Sequence, residues 1–135
     1  MRRVVITGYG LVSALGNDVT SAYERLKVLK NTVQVSNDLA SYVGLQSHLC
    51  SLADGFVPPA HYTRKVTRTM GRVSILSLAA TEQALAQAGL LNDPMLKQGR
   101  TGIAYGSSSG SVDAIAAFYT VIAAHEVKNV TSSTY

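Results

Sequence analysis

Two glycine-containing segments are the strongest candidates for chemistry in this sequence. Residues 4–13 place Gly8 and Gly10 directly after an apolar run, and residues 106–111 read Gly-Ser-Ser-Ser-Gly-Ser. Glycines at the end of a strand let the backbone approach a phosphate at the N-terminus of the next helix. In the first segment Ser13 stands where a dinucleotide-binding fingerprint has its third glycine. Tight turning and packing is therefore the favoured role for these glycines, and a nicotinamide-dependent oxidoreductase is a distant alternative.

The second segment also lacks the residues that would make it a known catalytic or nucleotide-binding loop. It has neither the Gly-Lys-Ser/Thr ending of a P-loop nor the Gly-x-Ser-x-Gly spacing that presents a nucleophilic serine. Small side chains between a strand and a helix also suit a loop against which an apolar chain packs. We favour this second interpretation.

The other reactive side chains are sparse. Cys50 is the only cysteine, and His48 is too near it in sequence to indicate a catalytic pair. His61 and His125 stand alone, with no acidic residue predicted to orient them and no metal-ligand spacing, and Glu82 and Glu126 are typical of solvated helix positions. The sequence therefore predicts a packed or half-exposed thiol at Cys50. It assigns no catalytic, cofactor-binding or metal-binding residue, and no cofactor is expected.

The composition indicates that this chain alone does not cover all of its apolar surface. Of the 135 residues, 47% are apolar and only 15% are charged, so we expect further chain or a partner to cover part of the apolar surface. The net charge is +4, and its densest basic group is Arg64, Lys65, Arg68 and Arg72. This group is short and lacks interleaved aromatic residues, which argues against nucleic acid and favours an acidic protein partner or a phosphate.

No segment predicts export or membrane insertion. The apolar run after Arg3 is too short for the core of a signal peptide, and no stretch approaches the length of a membrane span. We therefore expect a cytoplasmic protein. Residues 131–135 carry no stop signal, and we expect the native chain to continue beyond them.

The elements alternate in the order of an α/β protein. Residues 3–7 and 102–106 are predicted as strands buried on both faces of a parallel sheet. Helices are predicted from an Asn17-Asp18 N-cap to about Lys30, over about 63–88, and over 112–127. The last helix is apolar on most sides, which is typical of deep burial or a subunit interface. Residues 31–60 are predicted as an irregular insertion folded over the domain.

Several of these segments together resemble the β-ketoacyl-acyl-carrier-protein synthases, the elongating condensing enzymes of the thiolase-like fold. Residues 2–16 resemble the opening strand and turn of that family, and Tyr23-Glu24-Arg25-Leu26 its first helix. Residues 64–72 and 79–90 resemble its second helix, and residues 102–107 its next strand and glycine-serine turn. The resemblance covers most of the chain in the family's order and is weakest over residues 31–60.

The resemblance implies the N-terminal portion, residues 1–135, of a layered α/β/α synthase domain that is incomplete as given. The family condenses an acyl thioester with malonyl-carrier protein, using a cysteine and two histidines that lie beyond Tyr135. Neither Cys50 nor any histidine here matches those positions. Ser109, and more weakly Ser108, fall where the family lines its acyl pocket. The family's reaction implies acyl carrier protein as a partner. The helix from Val112 falls in the family's dimer region, which implies a homodimer or a heterodimer with a related synthase. A non-catalytic partner subunit of the chain-length-factor kind is the alternative.

Overall fold

The computed structural model describes residues 3–127, and most of its regular secondary structure is helical. Residues 131–135, beyond which we expect the chain to continue, lie outside this range. The described elements, in chain order, are α1 (Val19–Lys27), β1 (Gln34–Val35), α2 (Asn37–Ala40), β2 (Leu49–Cys50), α3 (Arg64–Thr67), α4 (Arg72–Gln87), a 3₁₀ turn (Pro94–Lys97) and α5 (Val112–Ala124).

Helix α1 begins where its capping residue predicts. The Asp18 carboxylate accepts a hydrogen bond of 2.8 Å from the backbone N–H of Ser21, which satisfies one of the free donors of the first turn. The helix ends at Lys27, earlier than the predicted Lys30, and Leu29 follows in the left-handed region with φ of 53°. Ala22 is the residue of this helix that is buried.

The long helix predicted over residues 63–88 is interrupted. The single turn α3 ends before Arg68, and α4 starts after Gly71, whose backbone is extended with φ of −77° and ψ of 173°. Glycine has little preference for the helical region, so it is a natural point for the chain to change direction. At the other end the helix stops as predicted, because Gly89 adopts φ of +70° and the N–H groups of Leu90 and Leu91 return to the Leu85 carbonyl.

The two segments predicted as buried strands are exposed and unpaired in the described part of the chain. Val4 is 95% exposed, Ile6 88% and Ile103 78%. A strand needs a neighbour to accept its hydrogen bonds, and the ladder found within residues 3–127 joins β1 to β2 instead. The two segments are exposed because no segment within residues 3–127 supplies the neighbouring strands, and burial on both faces stays a prediction for the whole protein.

Residues 31–60 form a small irregular unit against the start of the chain. β1 and β2 pair antiparallel, with Gln34 opposite Cys50 and Val35 opposite Leu49. Two side chains from outside tie this unit down: Asn17 Nδ2 donates to the Gly55 carbonyl at 2.8 Å, and the Arg72 guanidinium donates to the Ala53 carbonyl. Phe56, within this unit, is a buried aromatic side chain.

The amount of exposed surface is far above that of an ordinary folded domain. The chain exposes 11,113 Å², whereas the size scaling for folded monomers gives roughly 6,800 Å² for a mass of 14.3 kDa. Helix α5 contributes strongly, since none of its residues is buried and Val112 and Tyr119 are 70% and 68% exposed. Of the two expectations for this helix, deep burial is absent within the described chain, and a subunit interface stays a prediction. Across residues 3–127, no helix is both long and apolar enough to cross a membrane.

Candidate functional site

The glycine-serine turn after residues 102–106 is closed by its own side chains. Ser107 Oγ accepts a hydrogen bond of 3.0 Å from the backbone N–H of Gly110, a turn in which a serine hydroxyl takes the place of a backbone acceptor. Gly110 adopts φ of +63°, a conformation that glycine reaches without strain. Ser108 and Ser109 lie between them and are exposed. The sequence therefore builds a compact turn that presents two serines.

A cavity of about 300 Å³ lies between this turn and the first half of α4. This volume is at the lower end of the range for small-molecule sites. Apolar and small polar side chains line it together, including Met70, Ser77, Leu78, Tyr105, Ser107 and Ser111. Such a lining suits an apolar chain that approaches the turn, and the packing of such a chain here stays a prediction.

The two serines predicted to line an acyl pocket are next to this cavity rather than in its wall. Ser107, Gly110 and Ser111 line it, whereas Ser108 and Ser109 are at the exposed tip of the turn. Contact between an acyl chain and Ser109 or Ser108 therefore stays a prediction. The residues of α4 that line the cavity carry no motif of their own, and only their helical spacing places them along the same side of α4.

The N-terminal glycine turn is seated directly on α4. A Cβ atom at Gly8 would lie 2.1 Å from the Ala84 carbonyl oxygen, and one at Gly10 would lie 1.9 Å from that of Ala80. Helix α4 therefore occupies the space that a dinucleotide phosphate would need. The next helix, α1, begins only at Val19, whereas a dinucleotide-binding loop leads directly into its helix. The packing role predicted for the two glycines is the one observed.

Two glutamine side chains hold the same turn by its backbone. Gln87 Oε1 accepts from the N–H of Tyr9 at 2.8 Å, and Gln83 Oε1 accepts from the N–H of Leu11 at 3.1 Å. Gln83 Nε2 also donates to the Asn17 carbonyl at 2.7 Å. Sequence reasoning did not assign these glutamines a structural role. Their spacing of four residues on one helix face is the pattern that could have indicated it.

His61 does have an acidic partner, contrary to the sequence-based expectation. Its Nε2 atom lies 3.1 Å from both carboxylate oxygens of Glu82, so Glu82 is not simply a solvated position. Next to this pair, burial first and the Glu82 carboxylate second raise the pKa of the Tyr62 hydroxyl above its usual value of 10.0. The hydroxyls of Thr81 and Tyr105 also share a hydrogen bond. The His61–Glu82 and Thr81–Tyr105 contacts fasten His61 and Tyr105 to α4.

The remaining reactive side chains do not assemble a catalytic centre in the described chain. Cys50 is a half-buried free thiol in β2, as predicted. The neighbouring His48 has its Nε2 atom 3.0 Å from the Leu45 carbonyl oxygen. His125 is the C-cap of α5, with φ of 54°, so the helix ends before the predicted Val127. Within residues 3–127, no three His, Cys, Asp or Glu side chains are grouped as metal ligands.

The basic group divides into two parts. Arg64, Lys65 and Arg68 are exposed and lie on or directly after α3. Arg72 instead uses its guanidinium to hold the Ala53 carbonyl. The two ion pairs found within residues 3–127 join Lys27 to Glu24 and His61 to Glu82. The three exposed cations thus form a positive patch directly before α4.

Known proteins are similar to this chain in both sequence and structure. The family profile described as "Beta-ketoacyl synthase, N-terminal domain" matches residues 1–134. A 3-oxoacyl-[acyl-carrier-protein] synthase 1 from Haemophilus influenzae is 32% identical over 82% of this chain and 27% of its own length. The enzyme of the same name from Escherichia coli K12 is 33% identical over the same shares.

A solved structure aligns over the whole chain. The crystal structure of a β-ketoacyl synthase from Burkholderia phymatum superposes with a TM-score of 0.92 and 44% sequence identity, covering 100% of this chain and 33% of that one. The chain therefore spans between a quarter and a third of the length of the proteins it matches. It has the N-terminal part of a thiolase-like α/β fold, as its sequence predicted, and it belongs to the β-ketoacyl synthase family.

Proposed function

We propose that the whole protein is a β-ketoacyl-acyl-carrier-protein synthase. It would condense an acyl thioester with malonyl-carrier protein in fatty acid or polyketide-type synthesis. The observation that carries this proposal is the superposition of the entire chain on a β-ketoacyl synthase at a TM-score of 0.92 and 44% identity. Relatives named as 3-oxoacyl-[acyl-carrier-protein] synthases support the same activity.

The chemistry divides between this segment and the rest of the protein. In the proposed reaction a cysteine thiolate takes the acyl group from its carrier. Malonyl thioester then loses CO₂, and the resulting carbanion attacks the acyl carbonyl, forming the new C–C bond and releasing the thiolate. Residues of this chain supply none of these groups. Their proposed part is to hold the acyl chain, through the cavity beside the glycine-serine turn and through Ser109 and Ser108.

The exposed cations before α4 support acyl carrier protein as the partner that delivers the substrates. Arg64, Lys65 and Arg68 form a compact positive patch, and such a patch steers an acidic partner toward it. Charge reversal in Arg68→Glu should raise KM for carrier-bound substrates at low salt with little change in kcat, and added salt should reduce the difference.

Lys97→Glu is the matched control for that variant. Lys97 is also exposed, but it lies beyond the other end of α4, whose 16 residues span about 24 Å. Equal rises in KM for the two variants would show that overall charge, not this patch, attracts the carrier protein.

The direct test of function is a condensation assay on the full-length protein. Incubation with acyl-carrier protein and malonyl-carrier protein should yield CO₂ and a 3-oxoacyl product, and mass spectrometry without malonyl substrate should find an acyl group on one cysteine. The absence of both would contradict the synthase proposal. Product formed only after addition of a related active synthase would favour the alternative, a chain-length-factor-like partner subunit.

Two further proposals concern assembly and location. The exposed apolar residues of α5 support a homodimer, or a heterodimer with a related synthase, in which this helix is covered. Sedimentation of the full-length protein tests this, since a monomer at micromolar concentration would contradict it. The half-buried free thiol of Cys50 supports a reducing compartment such as the cytoplasm.

A further inference from the structure

The starts of the two helices that border the cavity touch each other. Gly71 is the N-cap residue of α4, and Ser111 is the N-cap residue of α5. They are 40 positions apart in the sequence, yet Met70 and Ser111 line the same cavity. The close approach of Gly71 to Ser111 therefore helps to set the distance between the walls of the cavity.

The contact leaves no space for a side chain at Gly71. A Cβ atom built there would lie 1.9 Å from Ser111 Oγ and 2.3 Å from Ser111 Cβ. The Ser111 hydroxyl could rotate away from a side chain at Gly71, but the Ser111 Cβ atom is fixed to the backbone and could not. Ordinary contact begins at 3.4 Å, so the start of α5 would have to move by about 1 Å to accept a methyl group.

Ser111 also does not perform the usual task of a serine at its position. An N-cap serine normally accepts a hydrogen bond from a backbone N–H in the first helical turn. The Ser111 side chain makes no such bond and instead faces Gly71. The preceding residue, Gly110, ends the turn that Ser107 closes, so a shift of Ser111 would be passed directly to the turn and to Ser109.

We propose that Gly71 and Ser111 are a positioning pair that sets the width of the cavity beside the glycine-serine turn and so selects acyl-chain length. This inference rests on the proposed synthase function. A methyl group at Gly71 pushes Ser111 and the turn away from α4 and widens the cavity. A wider cavity buries more of a longer chain, and each further buried methylene favours binding by about fourfold.

The test measures chain-length selectivity in the full-length protein. Two acyl-carrier proteins whose acyl chains differ by two methylene groups compete in one condensation assay, and the ratio of products gives the ratio of their kcat/KM values. Gly71→Ala should raise the ratio of longer to shorter product by at least about fourfold. Gly55→Ala is the matched control, because a Cβ atom there meets nothing within 4 Å.

Two double variants separate positioning from general damage. Gly71→Ala with Ser111→Gly removes the Cβ atom that blocks the new methyl group and should restore the original ratio. Gly71→Ala with Ser111→Ala removes only the hydroxyl and should not. If Gly71→Ala alone fails to fold, recovery of both folding and the original ratio in the first double variant, but not in the second, supports the pair. An unchanged ratio in folded Gly71→Ala, or equal behaviour of the two double variants, would overturn it.

The failure of this inference is distinguishable from failure of the proposed function. If the unaltered protein forms no 3-oxoacyl product with either acyl chain, the proposed function is wrong. If it forms product and Gly71→Ala does so with unaltered selectivity, only the positioning pair is wrong.

Discussion

Replacement of Gly10 by alanine tests how the N-terminal glycine turn is held on α4. The added Cβ atom would lie 1.9 Å from the Ala80 carbonyl oxygen and 2.9 Å from Gln83 Cβ. The carbonyl is part of the helix backbone and cannot rotate aside, so the turn must lift from the helix. Lifting it separates the N–H of Leu11 from Gln83 Oε1, a part-buried hydrogen bond of 3.1 Å.

The expected cost follows from these two effects. Overpacking at a tight contact costs about 1–3 kcal/mol, and the lost hydrogen bond adds about 1 kcal/mol. We therefore expect Gly10→Ala to lower the free energy of unfolding by about 2–4 kcal/mol. Gly55→Ala, which meets nothing within 4 Å, should stay within about 0.5 kcal/mol of the parent protein.

Urea unfolding of the full-length protein, followed with amide hydrogen exchange at Leu11, measures both effects. The urea midpoint should fall and the Leu11 amide should exchange faster in Gly10→Ala. If Gly10→Ala matches Gly55→Ala in midpoint and Leu11 stays protected, the turn is not held by its approach to α4, and the reasoning fails.

Three further predictions concern the same framework. Gln83→Ala should lower the free energy of unfolding by about 1–3 kcal/mol, because it leaves the part-buried N–H of Leu11 without its acceptor. Gln87→Ala, whose hydrogen bond is exposed, should lower it by less in the same urea measurement. The reverse order would contradict this assignment. Hydrogen bonds from the Ser21 backbone N–H and then from its side chain lower the pKa of Asp18 below 3.8. Because the pKa of Asp18 is lower in the folded protein than in the unfolded chain, its carboxylate stabilises the fold above pH 3.8, and this stabilisation is lost as pH falls through the folded pKa. The melting temperatures of the parent and Asp18→Ala should therefore differ at pH 7 and converge in acid. A difference that stays constant with pH would contradict this. The 135-residue chain alone should associate or melt without cooperativity, because its exposed surface of 11,113 Å² far exceeds the scaling value; sedimentation and calorimetry that show a cooperative monomer would refute this.

The sequence determined the local features of this protein. The Asp18 cap, the stop at Gly89 and the packing role of Gly8 and Gly10 were all predictable, because each depends on the conformation or hydrogen bonding of a few neighbouring residues. The family was also predictable, since its segments occur in order along the chain and the comparisons confirm it. Contact of Ser109 and Ser108 with substrate remains a prediction.

Other features depended on the tertiary structure, because they join residues that are distant along the chain. His61 and Glu82 are 21 residues apart, and no local pattern links them. Gly71 and Ser111 are 40 residues apart, and helix periodicity cannot show their close approach. The apolar runs at residues 3–7 and 102–106 were recognisable as strand sequences, but a strand forms only where another segment accepts its hydrogen bonds. Local sequence therefore specifies which conformations are possible, and long-range contacts decide which of them is adopted.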